Sequence, residues 1–264
     1  MMSGELVVSH AVVNYRQPGR GTLVAVDDIS FDVRPGEVVG LVGESGCGKS
    51  TTAKAVCGLT PLASGTITFD GREVTPLRIR PRPNSLREIQ MVFQNPYASL
   101  NPRRQVGQQI EDGRRANSGG APTVPELLSQ VDLPEDAATK FPHQFSGGQR
   151  QRIAIARAIA CGPRLLIGDE PIASLDASLQ ARLAHLMRQV ALDAGASLLF
   201  ISHDLAVVRT IADRVIVMNK GKIVEDGPTA QIWDTPRDPY TKQLLGAIPK
   251  VDGLGTIPLS GPVS

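Results

Sequence analysis

The sequence contains few cysteines, and their spacing excludes two common kinds of site. Three cysteines, Cys47, Cys57 and Cys161, occur among 264 residues. None of them forms the C-x-x-C pattern of zinc sites, and three scattered cysteines do not support a disulfide framework. We expect Cys57 and Cys161 to be small core residues.

Long hydrophobic runs are also absent from the sequence. The apolar stretch around residues 197–201 is far shorter than the roughly 18 residues that a membrane-spanning helix needs. Residues 1–5 have neither the basic segment nor the apolar segment of a secretory signal. We therefore expect a cytosolic chain that does not itself cross a membrane.

Neither sign of charge is in large excess. The 28 Lys and Arg residues nearly balance the 26 Asp and Glu residues, which gives a net charge of +2. The basic residues are spread along the chain rather than gathered in a block, so the sequence predicts no nucleic-acid partner. With 41% apolar residues, the chain can bury the core of one substantial domain or of two small ones.

A glycine-rich stretch carries the clearest chemical signal. Residues 43–51 fit the phosphate-binding pattern G-x-x-x-x-G-K-[ST] and lie between a predicted strand at 38–42 and a predicted helix at 49–58. Glycines let backbone N–H groups approach phosphate oxygens, and the helix N-terminus adds partial positive charge. We predict that Lys49 binds the outer phosphates of a nucleoside triphosphate and that Ser50 binds Mg²⁺. The predicted nucleotide contacts are Gly43, Glu44, Ser45, Gly46, Cys47, Gly48, Lys49, Ser50 and Thr51.

Cys47 allows two interpretations. Because it lies beside Lys49 and a helix N-terminus, its thiolate would be favoured and the residue would be reactive. Alternatively, the tight loop requires only a small side chain at this position, and we favour this second interpretation.

The apolar pattern predicts an α/β chain with an inserted helical part. Segments 5–13 and 22–33 predict antiparallel strands, whereas the short apolar runs later in the chain predict a buried sheet. Residues 97–145 contain no such run and predict a mainly helical subdomain, and 76–84 predicts a solvated connection. Further strands are predicted at 64–71, 89–93, 164–168, 197–201, 214–218 and 222–225, and helices at 124–131, 150–160 and 229–247, with another helix after Asp176 that buries Leu179, Leu183, Leu186 and Val190.

Polar residues follow several of these buried strands. Gln94, the adjacent pair Asp169 and Glu170, and His203 each come directly after a predicted strand or close to its end. Ligands of open α/β sheets bind at the carboxyl edge of the strands, so we expect these residues to lie near the loop. Two carboxylates there fit ATP hydrolysis, in which one binds Mg²⁺ and the other polarises the attacking water.

Two further features could bind parts of a nucleotide. Ser146 to Gln149 has the capping-box pattern, which predicts a second helix N-terminus able to hold a phosphate; the alternative is a plain helix cap. Tyr15, just after the first strand, could stack on a base, although an ordinary loop tyrosine explains it nearly as well.

Taken in order, these motifs resemble the ATP-binding cassette (ABC) ATPases over essentially the whole chain. The resemblance implies an α/β fold with a RecA-like P-loop core, an N-terminal antiparallel β subdomain and an inserted α-helical subdomain. It implies one domain over residues 1–264, in which 1–95 and 155–230 form the nucleotide-binding core, 96–154 the helical and signature subdomain, and 231–264 a C-terminal extension.

The resemblance also assigns a role to each motif residue, with ATP and Mg²⁺ as the ligands. Glu170 would be the general base and His203 the switch histidine, and Lys49 and Gln94 would complete the catalytic set. Ser50, Gln94 and Asp169 would hold Mg²⁺. The signature motif would be Ser146, Gly147, Gly148 and Gln149, the D-loop residue Asp176, and the adenine-stacking aromatic Tyr15. Gly168 and Ile172 depart from the usual family residues, but neither replaces a group that does chemistry.

Longer stretches at 42–50, 91–103, 141–149 and 238–241 resemble the ATPase subunits of bacterial dipeptide and oligopeptide importers, most closely their second ATPase subunit. This likeness implies a peripheral protein on the cytoplasmic face of the cell membrane that powers peptide import. Its implied partners are a second ABC ATPase subunit in a heterodimer or alternatively a homodimer, two integral membrane permeases and, indirectly, a solute-binding protein.

Other functions remain open at this point. Nickel importers and an accessory ATPase of phosphonate utilisation share much of the same pattern. A soluble cassette of a multi-enzyme or nucleic-acid process is another alternative, but the zinc-binding insertions, long coiled coils or tandem cassettes of such proteins are missing. Intact Asp169, Glu170 and His203 argue against a purely regulatory nucleotide-binding module.

Overall fold

The computed structural model describes residues 4–17, 19, 21–77, 84–117, 120–173 and 176–247. Most of the predicted connection at 76–84 and two residues of the predicted D-loop, Ser174 and Leu175, lie outside these ranges. The described chain forms two sheets with helices packed around them.

The first sheet is antiparallel and comes from the N-terminal part of the chain. Its strands are arranged in the order β2–β1–β4–β5. The strands are β1 Leu6–Gln17, β2 Gly21–Val33, β4 Ser64–Phe69 and β5 Arg72–Glu73. The predicted antiparallel strands are therefore present, and β1 and β2 extend beyond the predicted segments.

The second sheet is mostly parallel, with the strand order β10–β9–β3–β8–β7–β6. Only β10 runs antiparallel to its neighbour. The strands are β3 Val38–Val42, β6 Ile89–Val92, β7 Leu165–Asp169, β8 Ser197–Ile201, β9 Arg214–Asn219 and β10 Lys222–Pro228. Every residue of β3, β7 and β8 is buried, because both faces of this sheet are covered.

Alternate residues of β3 belong to two separate cores. Val38 and Val42 pack into a core with the later helices, whereas Val39 and Leu41 pack into a second core against the antiparallel sheet. This division follows from the pleat, which points successive side chains to opposite faces. The strand that leads into the glycine-rich loop is thus held from both sides.

Ten α-helices and two 3-10 helices are found in the described part of the chain. Those between β6 and β7 form the helical insertion that the sequence predicts, although its limits at 96–154 stay a prediction. The α-helices are α1 Lys49–Val56, α2 Asn84–Arg87, α3 Pro96–Ser99, α4 Val106–Ala116, α5 Val124–Gln130, α6 Gly147–Ala160, α7 Ala177–Asp193, α8 Leu205–Ile211, α9 Thr229–Asp234 and α10 Pro239–Gly246, and the 3-10 helices are Glu135–Thr139 and Pro142–Gln144.

Two predictions about buried residues are wrong in part. Leu179 is 38% exposed, because it lies in the first turn of α7 and the core-forming residues of this helix begin at Leu183. Cys57 is buried as predicted, but Cys161 is only half-buried, because it ends α6 at the surface of the helical insertion.

Candidate nucleotide-binding site

The loop between β3 and α1 requires glycine at two positions. Gly43 has a φ of 148° and Gly48 a φ of 112°, in the region that side chains rarely adopt. A Cβ at Gly43 would collide with the carbonyl of Met218, and a Cβ at Gly48 would lie 2.5 Å from the carbonyl oxygen of Ala25. The loop is therefore packed directly against the backbone of other elements.

A turn between β9 and β10 holds this loop in place. The N–H of Gly221 donates to the carbonyl of Cys47 at 2.9 Å, and the carbonyl of Gly221 accepts from the N–H of Asp27 at 2.9 Å. Gly221 thereby joins the loop to β2 and to the parallel sheet at the same time.

The ammonium group of Lys49 lies inside the loop. Its side chain is 3% exposed, and Nζ donates to the carbonyl oxygens of Gly43 at 2.8 Å and Glu44 at 2.9 Å. The carboxylate oxygen Oε1 of Glu170 lies 3.9 Å from the same Nζ. A buried lysine held by two carbonyls presents its charge at the position where the loop could hold phosphate.

Ser50 and Asp169 bring two oxygen ligands together. Ser50, at the start of α1, donates from Oγ to Oδ1 of Asp169 at 2.6 Å. Burial raises the pKa of Asp169 above its usual value, although the hydrogen bond from Ser50 opposes this shift. Mg²⁺ prefers hydroxyl and carboxylate oxygens, so this pair fits the predicted metal-binding role.

Strand register brings Glu170 and His203 beside the loop. Asp169 is paired with Ile201 across β7 and β8, and the N–H of Glu170 donates to the carbonyl of Ile201 at 3.0 Å. His203, two residues beyond Ile201, places its Nδ1 3.5 Å from Oε2 of Glu170. The Glu170 carboxylate thus lies between the ammonium of Lys49 and the imidazole of His203.

Gln94 lies at the same edge of the sheet, and its side chain is exposed. Val92 of β6 is paired with Gly168 of β7, so Gln94 and Glu170 each follow this pair by two residues. The preceding residue is tied to the helical insertion, since Nε2 of Gln151 on α6 donates to the carbonyl of Phe93 at 3.1 Å. Gln94 is therefore placed between the sheet edge and the helical insertion.

The second predicted phosphate site is a complete helix cap. Oγ of Ser146 accepts from the N–H of Gln149 at 3.3 Å, and the N–H of Ser146 donates to Oε1 of Gln149 at 3.0 Å. The capping box is confirmed, and these side-chain hydrogen bonds are internal to the start of α6. Asp176 likewise caps α7, because its Oδ1 accepts from the N–H of Leu179 at 3.0 Å.

Burial decides between the two interpretations of Cys47. The residue is buried, and burial raises the pKa of its thiol even though the charge of Lys49 acts in the opposite direction. The neutral thiol is therefore favoured, which supports the interpretation of Cys47 as a small loop residue. The prediction that Tyr15 lies just after the first strand is wrong, because β1 continues to Gln17 and pairs Tyr15 with Leu23. The side chain is 38% exposed, so a base could stack on its ring.

One contact of the loop had no counterpart in the sequence predictions. The N–H of Glu44 donates to the hydroxyl oxygen of Tyr240 on α10 at 3.1 Å. Tyr240 belongs to the Asp-Pro-Tyr-Thr stretch at 238–241, which the sequence marks only as a likeness to peptide-importer ATPases. That likeness does not predict a contact with the loop.

Comparison with known proteins identifies the family. Residues 26–173 match the ABC transporter family. The chain belongs to this family. It is an ABC ATPase that binds and hydrolyses ATP, as the motif residues predicted.

Curated relatives cover nearly the whole cassette. The chain is 45% identical over 254 residues to the oligopeptide transport ATP-binding protein OppF of Bacillus subtilis, covering 94% of this chain and 83% of that protein. It is 44% identical to OppF of Lactococcus lactis, covering 87% of this chain and 74% of that one. It is 46% identical to the glutathione import ATP-binding protein GsiA of Pectobacterium atrosepticum, of which it spans 37%.

Solved structures confirm the predicted ABC ATPase fold. CbiO1 of Clostridium perfringens, part of the ABC transporter complex CbiONQ, matches with a TM-score of 0.71 and 27% identity over 86% of this chain and 89% of that one. The ATP-binding cassette MJ0796, as a dimer bound to ADP and phosphate, matches with a TM-score of 0.72 and 25% identity over 85% of this chain and 98% of that one. Among the described residues of this chain, no helix is both long and apolar enough to cross a bilayer.

Proposed function

We propose that this ABC ATPase powers the import of peptides through a membrane. The observation that carries the catalytic part is the position of Glu170, 3.9 Å from Lys49 Nζ and 3.5 Å from His203 Nδ1. The similarity to OppF over 94% of the chain supports peptides as the imported solute. The similarity to a glutathione import protein also supports this class, since glutathione is a small peptide.

In the proposed site, each residue has one task. Gly43 to Thr51 wraps the phosphates with backbone N–H groups, Lys49 binds the outer phosphates, and Tyr15 stacks on adenine. Glu170 accepts a proton from the attacking water, and the imidazole of His203 orients that carboxylate. Gln94 lies where it can join the site to the helical insertion.

Mg²⁺ completes the proposed site. Ser50 and Asp169, which are joined by a hydrogen bond of 2.6 Å, would supply oxygen ligands for the ion, and Gln94 is the third proposed ligand. Held by these residues, the ion would supply positive charge that stabilises the negative charge developing during phosphoryl transfer.

A second ABC ATPase subunit supplies the remaining contacts. The capped start of α6 at Ser146, Gly147, Gly148 and Gln149 has N–H groups that can bind a phosphate, and its own side-chain hydrogen bonds are local. We propose that this helix start covers the ATP of the partner subunit, and that Asp176 lies in the same interface. The second subunit is a different chain in the heterodimer that we favour, or a copy of this chain.

In the same proposal, the two ATPase subunits close around ATP, and two integral membrane permeases convert this closing motion into transport of the peptide. In this proposal the cassette is bound to the cytoplasmic face of the membrane, and a solute-binding protein delivers the peptide from the other side. The region around Gln94, where β6 meets α6, is the proposed permease contact, because a shift of the helical insertion there changes the surroundings of the ATP site.

Reconstitution tests the proposal directly. The chain is purified with its second ATPase subunit and two permeases and placed in vesicles with a solute-binding protein and labelled peptides. We expect peptide uptake that depends on ATP, and no uptake with the Glu170→Gln variant. Copurification without permeases, or uptake of nickel but not of peptides, would contradict it.

A further inference from the structure

The Asp-Pro-Tyr-Thr stretch at the start of α10 contacts the phosphate loop. The hydroxyl oxygen of Tyr240 accepts a hydrogen bond from the N–H of Glu44 at 3.1 Å. Glu44 is the second residue of the glycine-rich loop, and Tyr240 lies in the last described helix. The last described helix therefore contacts the loop that follows β3.

Several contacts hold Tyr240 at this position. The carboxylate of Glu225 on β10 accepts from the N–H of Arg237 at 2.8 Å and from the N–H of Asp238 at 3.1 Å. Oδ1 of Asp238 in turn accepts from the N–H of Tyr240 at 2.8 Å, which caps α10. The ring of Tyr240 also packs against the core beneath the later helices. The hydroxyl is thus placed by β10 through a chain of three hydrogen bonds.

The anchor of this chain is a buried carboxylate. Glu225 is 8% exposed, and burial by itself would raise its pKa. The hydrogen bonds it accepts, including those from the amides of Arg237 and Asp238, outweigh burial and hold the pKa of Glu225 below its usual value. The carboxylate is therefore charged at neutral pH, and charged acceptors make the stronger hydrogen bonds.

Lys49 binds the carbonyl groups of the same stretch of loop backbone, Gly43 and Glu44. The carbonyls of Gly43 and Glu44 accept from Lys49 Nζ at 2.8 and 2.9 Å. One short stretch of backbone therefore donates its N–H to Tyr240 and offers its carbonyls to Lys49. Since each peptide unit is planar, fixing the N–H of Glu44 restricts the rotation of the Gly43 carbonyl as well.

We propose that Tyr240 is a positioning residue for the phosphate loop. Its hydroxyl fixes the Gly43–Glu44 segment, the carbonyls of that segment place the Lys49 ammonium, and the result is a higher affinity for ATP. The helix α10 therefore contributes to the nucleotide affinity of the ABC ATPase. The inference rests on the ATP-binding part of the proposed function and not on the imported solute.

The first experiment replaces the hydroxyl alone. Tyr240→Phe keeps the ring and its packing, so the chain should fold and unfold at the same temperature without nucleotide, to within about 2 °C. ATP affinity should fall by about three- to tenfold, the effect of one ordinary hydrogen bond. KM for ATP should rise by a similar factor and kcat stay within about twofold, as expected for a contact made in both ground and transition states.

Gln243→Ala provides the matched control on the same helix. Gln243 is exposed on α10, and its substitution should leave ATP affinity, KM and kcat unchanged. Dissociation constants are measured by titrating a fluorescent ATP analogue into the full chain in the presence of Mg²⁺. This titration needs no permease or second subunit, so failure of peptide uptake and failure of this inference are separate results. KM and kcat are measured with the second ATPase subunit added.

The second experiment acts on the anchor. Glu225→Gln keeps the shape of the side chain but removes the charge, so it should weaken the hold on α10 and lower ATP affinity in the same direction as Tyr240→Phe. Because both variants act through one contact, the double variant should lose no more affinity than Tyr240→Phe alone. Additive losses, or an ATP affinity of Tyr240→Phe equal to that of the unmodified chain, would overturn the proposal, as would a lower unfolding temperature with no change in affinity.

Discussion

Ser50 and Asp169, which lie far apart in the sequence, are joined by a hydrogen bond of 2.6 Å from hydroxyl to carboxylate. The bond connects the first turn of α1 to the carboxyl end of β7. It brings the two oxygens that we propose as Mg²⁺ ligands to one point and leaves a carboxylate in a buried setting.

Asp169→Asn should remove a proposed Mg²⁺ ligand and at the same time stabilise the folded chain. Because burial raises the pKa of Asp169, the folded chain takes up a proton at this carboxyl more readily than the unfolded chain does, and the charged carboxylate lowers the free energy of unfolding at neutral pH. The neutral amide can still accept from Ser50, so the variant should unfold at a higher temperature than the parent in the absence of nucleotide and Mg²⁺.

The rise in unfolding temperature caused by Asp169→Asn should itself increase with pH. The stabilising contribution of a protonated Asp169 is lost as pH rises through the raised pKa, so the difference between variant and parent should grow with rising pH. It should close as pH falls toward the ordinary value of 3.8. Thermal unfolding in EDTA at several pH values measures it, and the variant should also lose Mg²⁺-dependent hydrolysis. A lower unfolding temperature at neutral pH would contradict the assignment of burial as the cause.

Glu170→Gln should suppress ATP turnover and leave ATP binding intact. General base catalysis contributes roughly 10²–10⁴-fold, so phosphate release should fall by about that factor. The amide keeps the size of the side chain, and the nucleotide contacts proposed for the loop do not involve Glu170. Wild-type turnover in this variant would refute Glu170 as the general base.

Lys49→Ala should instead weaken ATP binding itself. Hydrogen bonds to charged groups contribute about 1.5–3 kcal/mol each, which corresponds to an affinity loss of roughly 10- to 100-fold. Lys49 also fills the loop, so its loss affects the conformation of Gly43 and Glu44. Titration with an ATP analogue measures the change, and an unchanged dissociation constant would count against the predicted phosphate contact.

Hydrolysis should require a second cassette, whereas ATP binding should not. The specific rate of phosphate release should fall as the chain is diluted and should recover on addition of the second ATPase subunit. Ser146→Arg should abolish this recovery when the variant chain serves as the covering partner, yet keep its own ATP affinity. A specific rate that stays constant down to dilutions where only monomer exists would overturn the shared site.

Cys47 should react slowly with alkylating agents. Only the thiolate reacts, and burial raises the pKa of Cys47 above the ordinary value of 9.0. With Cys57 and Cys161 replaced by Ala, the modification rate should rise about tenfold per pH unit from pH 7 to 9, and ATP should slow it further. Complete modification should abolish ATP binding because the added group fills the loop. A rate that levels off below pH 8 would show a reactive thiolate instead.

The sequence predicted the structure best where the backbone conformation or the burial of a position favours only a few residue types. Gly43 and Gly48 occupy backbone conformations that other residues rarely adopt, and the fully buried strands β3, β7 and β8 appear as short, mostly apolar runs. The sequence alone therefore predicts that Glu170 and His203, which follow the ends of β7 and β8, lie near the loop.

Contacts that depend on tertiary packing were not predictable in the same way. Leu179 and Leu183 lie on the same face of α7, yet only Leu183 reaches the core. Helix periodicity predicts which face of a helix is apolar, but it does not predict which turns of that face are covered by other elements. The hydrogen bond from Glu44 to Tyr240 joins two motifs whose proximity depends on how α10 packs after β10. No local pattern encodes such a distance.

The hydrogen bond from the N–H of Gly221 to the carbonyl of Cys47 can form only late in synthesis. The ribosome completes the phosphate loop early, but the turn that donates to it is made only at residue 221. At about 5–20 residues per second, the chain between positions 51 and 221 takes roughly 10–30 s to appear. The contact that holds the phosphate loop in place is therefore completed only after most of the chain has been made.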